Sequence, residues 1–196
     1  MNKLSKFSIL ALFAIITLSF SSCKKDDPIP EIDQEEFDGT RITFTAGHYH
    51  GEEFHAEEDE EPIVIVFTRG SATPTPSHAD LHAGESYRMD ITILRDGENI
   101  NSDFDAAEHQ FFFTGAPAGV LSYEYKDNQL GFTGLLTVNS ATDEGFDLNI
   151  ILRHGLNKSH GSAQAWDSTT YAQAGGTDDL NKKFELHPVP ADGHVH

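Results

Sequence analysis

The chain has 196 residues, a formal net charge of −19 and a single cysteine. An acidic balance of this size repels phosphate backbones and anionic lipid surfaces, so nucleic acid is excluded as a partner and cations are favoured. A large net charge also keeps a protein soluble, and this need alone explains most of the excess of acidic residues. One cysteine cannot form an internal disulfide, so the core alone must hold the fold together.

The first 22 residues have the features of a bacterial export signal. Lys3 and Lys6 supply a positive region, and the apolar run over residues 9–20 is too short to span a bilayer. SFSSC, which ends at Cys23, resembles the lipobox of bacterial lipoproteins, although Phe20 replaces the usual leucine. KKDDP after it resembles the signal that carries lipoproteins of the Bacteroidota to the outer face of the outer membrane. These resemblances imply a protein that is lipid-anchored through Cys23 and exposed at the cell surface. A free thiol on a secreted domain is the alternative.

Two further boundaries follow from composition. Residues 23–38 comprise the acylated cysteine and a stretch that is rich in acids and poor in apolar residues, so we expect a disordered tether. Residues 39–189 are long enough for one hydrophobic core and are predicted to form one domain. Residues 190–196 are predicted to be a flexible tail that contains His194 and His196.

The periodicity of the domain is that of β-strands. In YRMDITIL, for example, Tyr87, Met89 and Ile91 alternate with polar residues, as in a half-buried strand. Strands are predicted over residues 41–45, 63–68, 87–94, 109–114, 121–125, 131–138, 146–153 and 182–189. Asp105 and Glu108 form a D-x-x-E pattern that predicts one short helix. The expected fold is all-β, a single antiparallel β-sandwich of about eight strands that is immunoglobulin-like, with a barrel as the alternative.

Several segments of this domain together show a family resemblance. ESYRMDITIL, AAEHQFFFTGAPAGVLSYEYKD, NIILRH and AGGTDDLNKKFEL are similar to sequences of small Bacteroidota surface lipoproteins that accompany TonB-dependent outer-membrane receptors. The similarity extends from about Arg41 to Val189. It implies a location and a partner receptor, and it implies no reaction. The insertion rich in His and Glu between the first two strands is not typical of every member.

That insertion, GHYHGEEFHAEEDEEP at residues 47–62, is the clearest chemical signal in the chain. His48 and His50 are one residue apart, so they point to the same side of an extended chain and can chelate one metal ion. Two alternatives remain open at this point. The segment is a mobile loop that captures metal loosely, or it has no metal role.

Eleven histidines are present, and their positions relative to the predicted strands suggest a shared site. In an up-and-down sandwich of eight strands, the first loop, the start of the fourth strand and the end of the seventh strand lie at one end. The predicted metal ligands at that end are His48, His50, His55, His109, His154 and His160. Imidazoles from three loops would bind zinc there. With seven strands, His154 would instead join His78 and His82, which we interpret as incidental residues of a surface turn.

No enzyme motif is found. G-x-S-x-G and phosphate-binding glycine loops are absent from the sequence, and SHADLH lacks the glutamate of the H-E-x-x-H metalloprotease pattern. We therefore expect a protein without catalytic activity that binds a divalent transition metal, for capture or for delivery to a TonB-dependent receptor. Zinc suits imidazole and carboxylate ligands, and copper(II) is the alternative. The competing hypothesis is an interaction module of a surface receptor complex with no metal role.

Overall fold

The computed structural model describes residues 37–191. The predicted export signal, Cys23, the tether up to residue 36, and both His194 and His196 of the tail lie outside the described residues. Within residues 37–191 no helix has the length and apolar character needed to cross a membrane.

Strands dominate the described chain. They are β1 (Gly39–His50), β2 (Glu53–Ala56), β3 (Ile63–Thr68), β4 (His78–His82), β5 (Ser86–Arg95), β6 (Glu98–Asn99), β7 (His109–Thr114), β8 (Leu121–Tyr125), β9 (Thr133–Val138), β10 (Phe146–His154) and β11 (Thr177–Val189). Short 3-10 helices cover Asn101–Asp103, Gly161–Ala163 and Tyr171–Ala174. Each of the eight predicted strands corresponds to one of these. The additional strands β2, β4 and β6 are short and lie in segments whose apolar alternation is weak.

The strands form two sheets. The larger has the order β2-β1-β5-β9-β8, with β3 paired to β1 and β6 paired to β5. The smaller has the order β4-β11-β10-β7. Among the described strands, all of the pairings are antiparallel except that of β4 with β11. Strand β4 therefore lies at the edge of the smaller sheet and pairs in parallel with β11.

A shared core joins the two sheets. In β5 the predicted alternation is confirmed, since Tyr87, Met89 and Ile91 are buried while the residues between them are partly exposed. The rings of Phe44 from the larger sheet and Phe184 from the smaller sheet lie 6.0 Å apart across this core. The all-β, two-sheet prediction is confirmed, and the described strands form no barrel. The barrel alternative was wrong because each sheet packs its apolar face on the other instead of closing on itself.

The smaller sheet is also covered on its outer face. Phe112 and Ile151 point away from the main core and pack in a second cluster with Leu156, Ala163 and Ala174. These last three belong to the long connection between β10 and β11. This covering explains why HQFFFT contains three consecutive phenylalanines, because β7 is buried on both faces. The connection returns to the sheet at Thr177, which pairs with His154 at the end of β10.

The predicted short helix is absent at residues 105–108, which form a turn. The Asp105 carboxylate accepts a hydrogen bond from the backbone N–H of Ala107 at 2.8 Å. The Asp105 carbonyl accepts from the backbone N–H of Glu108 at 3.1 Å and of His109 at 3.0 Å. The helix prediction was wrong because β7 begins at His109 and leaves room for a single turn.

Candidate metal centre

His109 and His154 form a cross-strand pair at one end of the smaller sheet. His109 is the first residue of β7 and His154 the last of β10, and the two are register partners. Their rings stack with centroids 4.5 Å apart and planes 15° apart. The side chain of His109 is 9% exposed and that of His154 is 24% exposed. At this end of the smaller sheet, the structure therefore brings together His109 and His154, two of the six predicted ligands.

A β-bulge adds a carboxylate to this pair. The register between β10 and β11 shifts between Leu152 and Arg153, which leaves Asp179 as the extra residue on β11. Bulges commonly re-aim a side chain in this way. The Oδ2 atom of Asp179 lies 3.6 Å from Nε2 of His109 and 4.0 Å from Nδ1 of His154. The Asp179 side chain is 2% exposed, so the carboxylate is removed from bulk water.

A hydrogen bond made by Nδ1 of His109 determines that the other ring nitrogen, Nε2, faces the Asp179 carboxylate without a proton. Nδ1 of His109 lies 3.0 Å from the carbonyl oxygen of Asp105. A carbonyl oxygen only accepts, so Nδ1 carries the proton and Nε2 of the neutral ring is an acceptor. Nε2 and Oδ2 of Asp179 are then two electron-rich atoms facing each other, an arrangement that a proton or a metal cation between them would stabilise. A backbone carbonyl on the far nitrogen is typical of metal-binding histidines.

The spacing of these atoms is closer to that of metal ligands than to that of a hydrogen bond. Tetrahedral zinc with nitrogen and oxygen ligands at about 2.0–2.2 Å separates those ligands by about 3.3–3.6 Å. One ligand atom from each of His109, His154 and Asp179 lies within 4.8 Å of the others. Nε2 of His154 is also 3.6 Å from the largely exposed Glu108 Oε2, which can orient this ring or complete the set. The geometry offers three candidate ligands, of which His154 is the most exposed.

Arg153 anchors the segment that delivers Asp179. Its buried guanidinium donates to the carbonyl oxygens of Gly175 at 2.7 Å and Gly176 at 2.8 Å, and it pairs with the carboxylate of Asp178. Gly176 has a φ of +76°, and a Cβ there would overlap the carbonyl oxygen of His154. The start of β11 is thereby fixed directly against the end of β10.

A second histidine group occupies the hairpin of β1 and β2. His48 pairs across the hairpin with His55, and His50 lies two residues along on the same side. Ring centroids are 4.9 Å apart for His48 and His50, 5.2 Å for His50 and His55, and 5.9 Å for His48 and His55. Nδ1 of His48 lies 3.7 Å from Oε1 of Glu57. The predicted common orientation of His48 and His50 is observed, on an exposed face.

The opposite face of this hairpin packs on the larger sheet. The Arg88 guanidinium lies 4.6 Å from the centroid of the Phe54 ring, and the Lys126 ammonium lies 4.6 Å from that of the Tyr49 ring. The hairpin therefore belongs to the larger sheet, whereas His109 belongs to the smaller one. The arrangement differs from the predicted convergence, because the segment after β1 turns back as a strand instead of reaching over the end as a loop.

His160 has a structural contact instead of joining either group. It precedes the 3-10 helix Gly161–Ala163, and its Nδ1 accepts a hydrogen bond from the backbone N–H of Ser162 at 3.1 Å. That nitrogen is thus engaged in capping. Within residues 37–191, the group around His109 consists of His109, His154 and Asp179. The predicted convergence of His160 with His109 is therefore not observed.

His78 and His82 lie on strand β4, where a surface turn was predicted. They do not pair with each other. The His78 ring stacks on that of His187, with centroids 4.9 Å apart, and Nδ1 of His82 lies 3.2 Å from the carbonyl oxygen of Pro190. The strand was missed because HADLH is short and its outward-facing residues are histidines and an aspartate.

Asp179 and Glu108 were not predicted as site residues. Asp179 stands in AGGTDDL, where two acids follow a glycine pair and precede the apolar alternation of β11. The doubled acid is a visible break in the period-two pattern. Which of the two acids turns toward His109 depends on the bulge, and the sequence pattern does not specify it.

No family model matches the chain, and neither a curated protein nor a solved structure matches it.

Proposed function

We propose that this protein is an outer-membrane lipoprotein that binds a divalent transition metal at His109, His154 and Asp179. The supporting observation is the buried Asp179 carboxylate 3.6 Å from the Nε2 atom of His109, whose other nitrogen donates to a carbonyl. In this proposal the two sheets form an immunoglobulin-like scaffold without catalytic activity. The metal is captured at the cell surface for delivery to a TonB-dependent receptor.

The ligand types favour zinc. Two imidazoles and one carboxylate form a borderline-soft set, whereas calcium and magnesium prefer oxygen ligands alone. Copper(I) prefers thiolate and thioether ligands, and none of these belongs to the group. Copper(II) also accepts imidazole and carboxylate, so it is the second candidate.

The histidines of the β1–β2 hairpin add a first step to the proposal, in which metal is captured before the buried group retains it. His48, His50 and His55 are near one another and close to solvent, beside the exposed acidic residues 57–61. An exposed group of this kind exchanges metal readily, whereas the buried group around His109 would release it slowly. The strongly negative net charge raises the local concentration of cations around both groups.

Zinc titration by calorimetry tests this proposal. The protein is the chain from residue 24 on, which contains every described residue. It is compared with a His109→Ala/His154→Ala variant, a His48→Ala/His50→Ala variant, and a His160→Ala control that removes a solvent-facing imidazole. Circular dichroism checks that each variant is folded.

We expect the tightest zinc equivalent to be submicromolar and to disappear only in the His109→Ala/His154→Ala variant. The hairpin variant should lose weaker equivalents and keep the tight one. If the His109→Ala/His154→Ala variant is folded and keeps the tight equivalent, the proposed site is wrong. Absence of specific binding in all four proteins would favour an interaction module with incidental histidines. A metal-uptake receptor encoded beside this gene would support delivery to a receptor.

A further inference from the structure

A separate group of imidazoles and carboxylates lies on the outer face of the smaller sheet, on β4 and β11. The parallel register pairs His78 with Glu185 and Asp80 with His187. Alternate residues of neighbouring strands share a face, so these four side chains form a two-by-two array. The residues between them, Ala79 and Leu186 among others, point into the core. The array is part of regular sheet, so its backbone positions are set by the ladder of hydrogen bonds.

The atoms of this array stand at metal-ligand spacing. Nδ1 of His187 is 3.4 Å from Oδ1 of Asp80, which equals the separation of about 3.4 Å expected for two ligands of tetrahedral zinc. The rings of His78 and His187 stack with centroids 4.9 Å apart and planes 18° apart. One ligand atom from each of His78, Asp80 and His187 lies within 4.8 Å of the others.

The ring of His187 is held in place from behind. A Cβ on Gly145 would overlap its Cδ2 and Nε2 atoms, so glycine at this position allows the imidazole to pack against the backbone. Nε2 is buried and makes no hydrogen bond, but it lies 3.1 Å from Oε1 of Glu185. The other ring nitrogen, Nδ1, faces the carboxylate of Asp80.

We infer that His78, Asp80 and His187 form a second divalent-metal site, of the imidazole–carboxylate type that suits zinc, with Glu185 as the carboxylate that orients His187. The site joins two strands, because His78 and Asp80 come from β4 and His187 comes from β11. It uses none of the residues of the proposed site at the other end of β11, so it does not depend on that site.

The position of the site gives it a distinct role. Strand β4 is five residues long, lies at the edge of its sheet and is paired to β11 in parallel. Parallel pairs are slightly less stable per residue than antiparallel ones, and edge strands open most easily. A metal ion bound to both strands cross-links this edge. Metal binding here would therefore reduce local opening of β4.

Zinc-dependent hydrogen exchange tests the inference. The background protein is the chain from residue 24 on with Asp179→Asn, which weakens the other site. It is compared with the same protein that also contains Asp80→Asn, and with one that also contains His82→Ala. His82 lies on the same strand and face but outside the group, so it is the matched control. Asp80 has a side chain that is 55% exposed, so its substitution should not affect folding.

We expect zinc to slow amide exchange in the peptide that covers residues 78–82 of the background protein and of the His82→Ala variant. Asp80→Asn should abolish this protection and weaken the residual zinc affinity by at least about tenfold. Protection that survives Asp80→Asn, or that His82→Ala also abolishes, would overturn the inference. Failure of the His109 site would show instead as equal tight binding with and without Asp179→Asn, a result that does not depend on exchange in β4.

Discussion

Replacing Asp179 with asparagine should remove most of the stability that zinc bound at the His109 group gives to the protein. Asparagine has nearly the same size and shape but no charge, and the side chain is 2% exposed, so the environment of the substitution is well defined. At pH 8 ordinary imidazoles are neutral. The zinc-free variant is then expected to lie within about 1 kcal/mol of the wild type in free energy of unfolding.

The expected magnitude follows from the loss of one of three ligands. Substitution of groups that merely orient ligands lowers metal affinity by about 10- to 100-fold, so loss of Asp179 should cost about 100-fold. At free zinc 100 times the wild-type Kd, binding stabilises the wild type by about 2.7 kcal/mol and the variant by about 0.4 kcal/mol. For a domain of about 150 residues, the first figure raises Tm by about 5–11 °C and the second by about 1–2 °C.

Thermal unfolding followed by circular dichroism, in EDTA and in buffered zinc, measures both quantities. Asp178→Asn is the matched control, since it makes the same chemical change at the adjacent residue of β11. Asp178 pairs with Arg153 and accepts a hydrogen bond from the Tyr171 hydroxyl at 3.3 Å. This control should lower Tm in EDTA and in zinc alike and should keep the full zinc-induced increase.

The two variants must therefore show different patterns. If Asp179→Asn keeps the wild-type increase in Tm, the carboxylate is not a ligand and the assignment of the buried group fails. If Asp178→Asn loses the increase as well, the effect comes from general damage to the start of β11, and the reasoning from Asp179 is refuted.

Three other predictions follow from the same region. Zinc affinity should fall steeply below about pH 6, because protonated imidazoles cannot bind metal, and undiminished affinity at pH 5 in a calorimetric titration would contradict a histidine site. Arg153→Lys should lower the free energy of unfolding by about 2–4 kcal/mol in urea denaturation, since lysine cannot reach Gly175, Gly176 and Asp178 together; a change below about 0.5 kcal/mol would show that Arg153 is not an anchor. Gly176→Ala should destabilise the fold by about 1–3 kcal/mol more than Gly175→Ala, because only the first adds an overlap with the carbonyl of His154, and equal losses in the same assay would mean that backbone strain alone matters.

The strands could be predicted because their signal is local. The alternation of Tyr87, Met89 and Ile91 with polar residues reports which side of the strand faces the core, and this needs no knowledge of distant residues. The same local rule places His48 and His50 on one side of the chain. The short helix at residues 105–108 was mispredicted, because the capping pattern also fits the single turn that precedes β7.

The meeting of His109 with His154 was within reach of the sequence, because both stand at the ends of strongly predicted strands. The separation of the hairpin histidines from that pair could not be predicted from the sequence. It depends on β2, a four-residue strand with almost no apolar signal, and on the packing of the hairpin against Arg88 and Lys126. Contacts of this kind join residues that are far apart in the chain.

The sequence by itself determined the all-β class, the eight main strands and the positions of His109 and His154 at strand ends. Only the tertiary structure decided which carboxylates lie beside which histidines. The bulge on β11 selects Asp179, and the parallel register of β4 sets Asp80 beside His187. The physical reason is that periodicity along a strand is set by its own residues, whereas register between strands is set by the packing of the whole sheet.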